Sequence, residues 1–444
     1  MASLLLPLSW LALLLPPQNQ PVTVAESSRV KAFPGWRVEE VRYTPDGKML
    51  LVIITKKVEE RRAYRFLLLD AATGAEKYEL LQLDAEKTVF HYSMYPSFSP
   101  DGKCLTLRYN QLRFILKEGK WVDQEWSRLH VFDLTTGKEL WRRDLPEGIG
   151  TGTVIPYLDG GKTVLTGHGV ATYREEQGTR KQDWRGSLRA WDVATGEARP
   201  VPQISVGYVS FQLEYSPDRR YLAVMDIVNH KETGKRQDRL TLWDMTAHPP
   251  RMHLQFDNAG GEFAPDGKRF LTSQHRGGDT GFERDLALWD LASGKELART
   301  VLPLGKRTWV KHHLWSADGR WLDLITTGGE CFRWDMTGKA PLARTDALGL
   351  TTEVRAQREG DEVAYHAGAK LLAFGLHGMR QSGTEEPPLP PPLIYIVDAE
   401  RFQKTAALAG HQGRIHTMTF SPDGRTLLSG GSDGTLRWWG VKAK

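Results

Sequence analysis

A chain of 444 residues, 40% hydrophobic and 25% charged, has the composition of an ordinary soluble globular protein with no sign of disorder. Its formal charge of +5 is spread over alternating basic and acidic residues rather than blocks, which excludes a nucleic-acid footprint. Two cysteines without CxxC spacing, Cys104 and Cys331, exclude a disulfide framework and read as small buried hydrophobes.

In chain order, the first feature is an apolar run from Leu4 to Leu15, the length of a signal-peptide core. Small residues suited to cleavage follow at Thr23–Ala25. The run is too short to cross a membrane as an ordinary helix. No Lys or Arg precedes it and Pro7 interrupts it, which counts against a signal, and no lipobox cysteine follows. The expectation is a signal peptide over 1–25 and an exported mature chain over 26–444, periplasmic or extracellular. A cytoplasmic protein is the alternative.

Beyond this segment one pattern repeats. A turn phrase runs as YTPDGK (Tyr43–Lys48), FSPDGK (Phe98–Lys103), LDGGK (Leu158–Lys162) and YSPDRR (Tyr215–Arg220). It continues as FAPDGK (Phe263–Lys268), WSADGR (Trp315–Arg320), HAGAK (His366–Lys370) and FSPDGR (Phe420–Arg425). Each copy precedes a Trp-Asp-like phrase such as RAWDVATGEA from Arg189 or ALWDLASGKE from Ala287; Leu69, Phe132 and Val397 replace the tryptophan in three units. The period is roughly 45–60 residues, and no second domain escapes it.

Each unit reads as four short strands, because stretches such as LLLVII and SLRAWDV alternate with the period of two expected of sheet. Pro fixes φ and Gly tolerates positive φ in the Pro-Asp-Gly turns. A lone four-stranded sheet leaves apolar faces bare, so the units must stack as blades around an axis. The expected fold is all-β: a single β-propeller of eight four-stranded blades. The final unit stops after its third strand, and Ser27–Pro34 has the alternation to supply the missing one and close the ring.

The connections between second and third strands differ from unit to unit. They begin at Asn110, Gly169, Asn229, Gln274 and His377 and read as long loops gathered on one face, the usual place for recognition. Trp121, Tyr173, Arg174, Arg180, Trp184 and Arg185 are the candidate partner-binding residues there. Glu385–Pro392 reads as a stiff polyproline stretch, either a spacer or a docking ligand. Gly167–Gly169 reads as a turn. No metal motif occurs, and His312 and His313 fall on opposite faces of a strand.

The last unit carries the one arrangement that resembles catalysis: His411, Ser429 and Asp433 beside Trp439. Ser429 lies inside the apolar strand TLLSGG with no GxSxG around it, against a nucleophile on an exposed, strained turn. With Gly410-His411, FSPDGR and the closing Trp438-Trp439, this unit resembles a repeat of the WD40 β-propeller family, in its bacterial-type form. That resemblance implies that His411, Ser429, Asp433 and Trp439 form a buried structural tetrad, in which one unpaired member would cost roughly 1–3 kcal/mol. Phe132–Asp144 resembles the docking phrase of eight-bladed quinoprotein dehydrogenases, but its tryptophan phrase occurs only once and the cofactor residues have no counterpart. The function expected is a non-enzymatic, monomeric scaffold without cofactor or metal, binding a protein partner through the long-loop face. A propeller enzyme or cofactor-binding sensor using the central channel is the alternative.

Overall fold

A computed structural model describes residues 23–25 and 28–441, apart from 60, 86–88, 118–119, 146–156, 177–178, 202, 230–235, 279–280, 305–309, 317, 327–329, 338–341, 346–357, 379–391 and 402. Strands gather into eight sheets, one from each sequence unit. Blades 1 to 8 span 37–83, 89–145, 157–199, 208–257, 259–304, 310–345, 358–409 and 415–440. Strand order within each blade follows chain order, so every blade is an antiparallel meander. The first strands of blades 7, 8 and 1 (Arg358–His366, Ile415–Phe420 and Arg37–Tyr43) lie against one another. First strands therefore stand at the centre and fourth strands at the rim.

The core lies between blades because each sheet buries both faces. In blade 1, Leu51, Phe66 and Leu68 pack against Leu105, Leu107 and Phe132 of blade 2. Leu50, Val52, Leu67 and Leu69, one residue out of phase, pack against Leu428, Leu436 and Trp438 of blade 8. Leu69, Phe132 and Val397 are all fully buried, so the units without tryptophan keep an apolar plug at that position.

The turns between first and second strands share a device. In five of them a Ser or Thr hydroxyl donates to the Asp two residues on, at 2.6–2.7 Å: Thr44 to Asp46, Ser99 to Asp101, Ser216 to Asp218, Ser316 to Asp318 and Ser421 to Asp423. The same Asp oxygen accepts a backbone N–H, as from Lys48 at 3.1 Å, and closes a small Asx loop. The divergent HAGAK turn uses imidazole instead. His366 Nδ1 accepts from Ala369 N at 2.8 Å, and its Nε2 donates to Pro422 O of blade 8 at 3.0 Å.

The seams are pinned by side chains that reach the next blade's third-to-fourth-strand turn. Trp438 Nε1 donates to Ala71 O at 3.2 Å, Tyr78 Oη to Thr135 O at 3.1 Å and Trp141 Nε1 to Val193 O at 2.8 Å. Tyr221 Oη and His253 Nε2 both donate to Leu291 O, and Arg333 Nη2 donates to Ala399 O. Trp141, the tryptophan of the docking phrase, thus fastens blade 2 to blade 3.

Closure occurs as the unfinished last unit requires. Arg29–Ala32 pairs antiparallel with Thr435–Gly440, Arg29 opposite Trp438 and Ala32 opposite Thr435. Thr23–Ala25 lies parallel on Gln403–Ala409, the outer strand of blade 7.

Three of the expected long loops are instead paired strands. Cys104–Lys117 pairs with Lys120–Asp133 out to Lys117 opposite Lys120, and Thr163–Glu176 with Thr179–Asp192 out to Glu176 opposite Thr179. Arg269–Gly278 pairs likewise with Gly281–Asp290. The alternating residues of each segment continue the ladder, and Glu118-Gly119 and Gln177-Gly178 are two-residue hairpin signals. Gly167–Gly169 belongs to one of these strands, not to a turn. The loops within 230–235 and 379–391, with the polyproline stretch, lie outside the described residues.

Candidate functional site

In blade 8, Gly410-His411 precedes the first strand and Asp433 heads the turn between second and third strands. His411 Nδ1 donates to Asp433 Oδ2 at 2.9 Å, and Ser429 Oγ donates to His411 Nε2 at 2.7 Å. Ser429 Oγ in turn accepts the indole N–H of Trp439 at 2.8 Å. The connectivity is that of a Ser-His-Asp relay, but its setting is not. Ser429 is 0% exposed and His411 1%, so a carbonyl substrate meets no open path to Oγ. Burial works against ionisation of Asp433. The hydrogen bonds from His411, Gln412 N and Thr435 nevertheless hold its carboxyl well below the usual range.

The same corner recurs with fewer members. Trp191 Nε1 donates to Thr166 Oγ1 and Trp289 Nε1 to Thr272 Oγ1, each at 3.0 Å, from the position that Ser429 holds in blade 8. In blade 4 the register puts Val224 there, and Trp243 Nε1 is buried without an acceptor.

Pairing in the blade 3 ribbon places Tyr173, Arg180 and Trp184 at positions of one face and Arg174 and Arg185 at positions of the other; Trp121 stands opposite Leu116 in the blade 2 ribbon. The side chains of these six lie outside the described residues.

Near the axis, sequence reasoning missed a polar bridge across blades 4, 5 and 6. Gln212 Nε2 donates to Glu214 Oε2 at 3.0 Å and to Gly261 O at 2.9 Å. Glu262 accepts from Trp315 Nε1 at 2.6 Å and from His313 Nδ1 at 3.3 Å. Burial, then the charge of Glu262, pushes the Glu214 carboxyl up, against the hydrogen bond from Gln212. No motif marks these residues, since they come from three different repeats. Among the described residues no group of three or more His, Cys, Asp or Glu is placed to hold a metal ion, and no helix is long and apolar enough to cross a membrane.

Eight meandering sheets with their first strands at the axis define an eight-bladed β-propeller. Within it, the sequence model of the family described as "WD domain, G-beta repeat" matches residues 402–440. The chain is 25% identical to the serine-threonine kinase receptor-associated protein of Gallus gallus over 205 residues, 40% of this chain and 53% of that protein. It is 24% identical to eukaryotic translation initiation factor 3 subunit I of Bombyx mori over 267 residues, 56% of this chain and 72% of that protein. The chain thus spans about half the length of the first of these relatives. Both are animal proteins and lend no support to the bacterial-type form. The Cps50 (Swd1) β-propeller domain of Myceliophteria thermophila aligns over 93% of this chain and 99% of its own, with 12% identity and a TM-score of 0.44.

Proposed function

We propose that the protein is a non-enzymatic scaffold that engages a protein partner through the face bearing the blade 2 and blade 3 hairpins. The observation that carries this reading is their length. Among the described residues, second and third strands in these neighbouring blades run 14 residues, against 5–10 in the other six. The excess of four to nine residues carries these strands roughly 13–30 Å beyond the others. Paired backbone out to Lys117 opposite Lys120 and Glu176 opposite Thr179 makes each hairpin a stiff arm, which lowers the ordering cost of binding. One relative is named as receptor-associated and another as a subunit, names of proteins that work with others. The tetrad of blade 8 is read as a structural pin, because its serine is buried and its hydroxyl already engaged.

Replacing Thr172–Asp183 by a two-residue turn keeps the register from Ala171 opposite Trp184 downwards. A protein captured reproducibly by the intact chain should be lost by this variant at unchanged melting temperature. Equal capture by both, or a chromophore co-purifying with either, would sink the reading. We also propose that residues 1–25 are an export signal; cleavage after Ala25 would remove the strand at 23–25 and leave the closing strand at 29–32. A mature N-terminal mass corresponding to Met1 or Ala2 would refute that.

A further inference from the structure

On the same face, where the link from blade 4 to blade 5 passes, a cleft of about 300 Å³ opens between the two blades. This is the lower end of small-ligand pockets, about 300–1,000 Å³. Its aromatic wall is Phe256 from the outer strand of blade 4 and Trp289 from blade 5, ring centroids 4.9 Å apart and tilted by 54°. Trp289 is held in place by its bond to Thr272 Oγ1. Asp285, 4% exposed, lies at the floor, where Arg299 Nη1 donates to its Oδ2 at 2.7 Å. The remaining arms of Arg299 go to Glu296, through Nε at 3.1 Å and Nη2 at 2.5 Å. Exposed Asp257 stands at the mouth, braced by Gln255 Nε2 at 3.4 Å to its Oδ1 and by Gln274 Nε2 at 3.1 Å to its backbone oxygen. Two carboxylates against one guanidinium leave the lining one negative charge in excess.

We propose that this cleft binds the arginine side chain of a protein partner, its guanidinium against Trp289 and Phe256 and between Asp257 and Asp285. A flat, weakly hydrated guanidinium suits a ring wall beside carboxylates better than a compact ammonium does. The chain itself fills a comparable corner in this way. In blade 6, Arg333 lies 5.5 Å from the Trp321 ring centre and grips Asp323 with both forks at 2.7 Å. Between blades 4 and 5 Asp285 already pairs with Arg299, and the cleft leaves room beside Trp289 and Asp257 for a second guanidinium.

The probe is Nα-acetyl-arginine methylamide, read by the Trp289 indole N–H signal of Trp-labelled protein, assigned by its loss in Trp289→Phe. The arginine probe should shift that signal with a Kd on the order of 1 mM, the range of a single side-chain contact. The citrulline analogue, alike in shape but uncharged, should not. Asp257→Asn, at an exposed site, and Asp285→Asn should each weaken binding by about tenfold, the loss of one charge-assisted pair. The hairpin-shortened variant should bind as the intact protein does, so this result is separate from that of the hairpin face. Equal shifts with citrulline or with the lysine analogue, persistence of full affinity in Asp257→Asn, or no shift at roughly 50 mM probe would each overturn the assignment.

Discussion

The indole N–H of Trp243 is buried with no acceptor, while its counterparts Trp191, Trp289 and Trp439 each donate to a hydroxyl two residues beyond their register partner on the second strand. A buried N–H stripped of water and given no partner costs about 1–3 kcal/mol. Val224, 1% exposed, occupies that position in blade 4. Val224→Thr keeps the β-branched shape and supplies the oxygen, so it should raise unfolding free energy by about 0.5–1.5 kcal/mol, the usual net worth of one hydrogen bond. Urea unfolding measures this, and a destabilised Thr variant would show that the indole is already satisfied by water. The tetrad residues could be named from their order along the chain. The Val224 defect could not, because it appears only when register sets Trp243 opposite Leu222, two residues from Val224 on the neighbouring strand.

Blade against blade, the seams depend on glycines that allow an aromatic side chain to lie flat on the next turn. Gly137 has φ +69°, and a Cβ there would stand 2.3 Å from Tyr78 Cγ. Gly160 has almost the same φ, +67°, but nothing within 4 Å of its Cβ position. Gly160→Ala therefore carries backbone strain alone, about 1 kcal/mol, while Gly137→Ala adds displacement of Tyr78 and should cost about 2–4 kcal/mol. Thermal melts of the two variants side by side isolate the seam contact; equal losses would mean that Tyr78 moves aside freely. The Thr-Gly turns were legible in the sequence because backbone chemistry is local. Tyr78 was not, since no spacing rule links it to a turn 57–59 residues on. The hairpin arms were half legible: their lengths stood out, but the reading as loops gave too little weight to alternation that runs unbroken into a Gly-containing pair.

Around the whole ring, closure and titration are collective properties. The strand Arg29–Ala32 gives blade 8 its fourth strand, and Ser28 N and Phe33 N add bonds to Trp438 O and Gly434 O at 2.8 Å each. Removal of 26–35 should lower the melting temperature measurably; an unchanged value would show that blade 8 is held by its other seam. That closure could be read from the sequence, because a missing strand at one end and a spare strand at the other leave a single solution. The titration of the ring could not, as it depends on which carboxylates become buried. Hydroxyl and backbone N–H donors lower Asp46, Asp101, Asp318 and Asp423 below the carboxylate range. Their contribution is present above the unfolded value, near pH 4, and fades as pH falls through the folded ones. Glu214 runs the other way. Its folded pKa is raised, chiefly by burial and next by Glu262, so the fold holds its proton more tightly than the unfolded chain does and loses that advantage as pH rises above about 4. Glu214→Gln keeps an acceptor for Gln212 and carries no charge. It should match the parent below about pH 3.5, where Glu214 is largely protonated in both states, and become the more stable protein as pH rises towards about 7. Urea unfolding of both proteins across that range tests the sign, and a stability difference that stays level or reverses with pH would mean that the bridge at the axis holds Glu214 as a carboxylate.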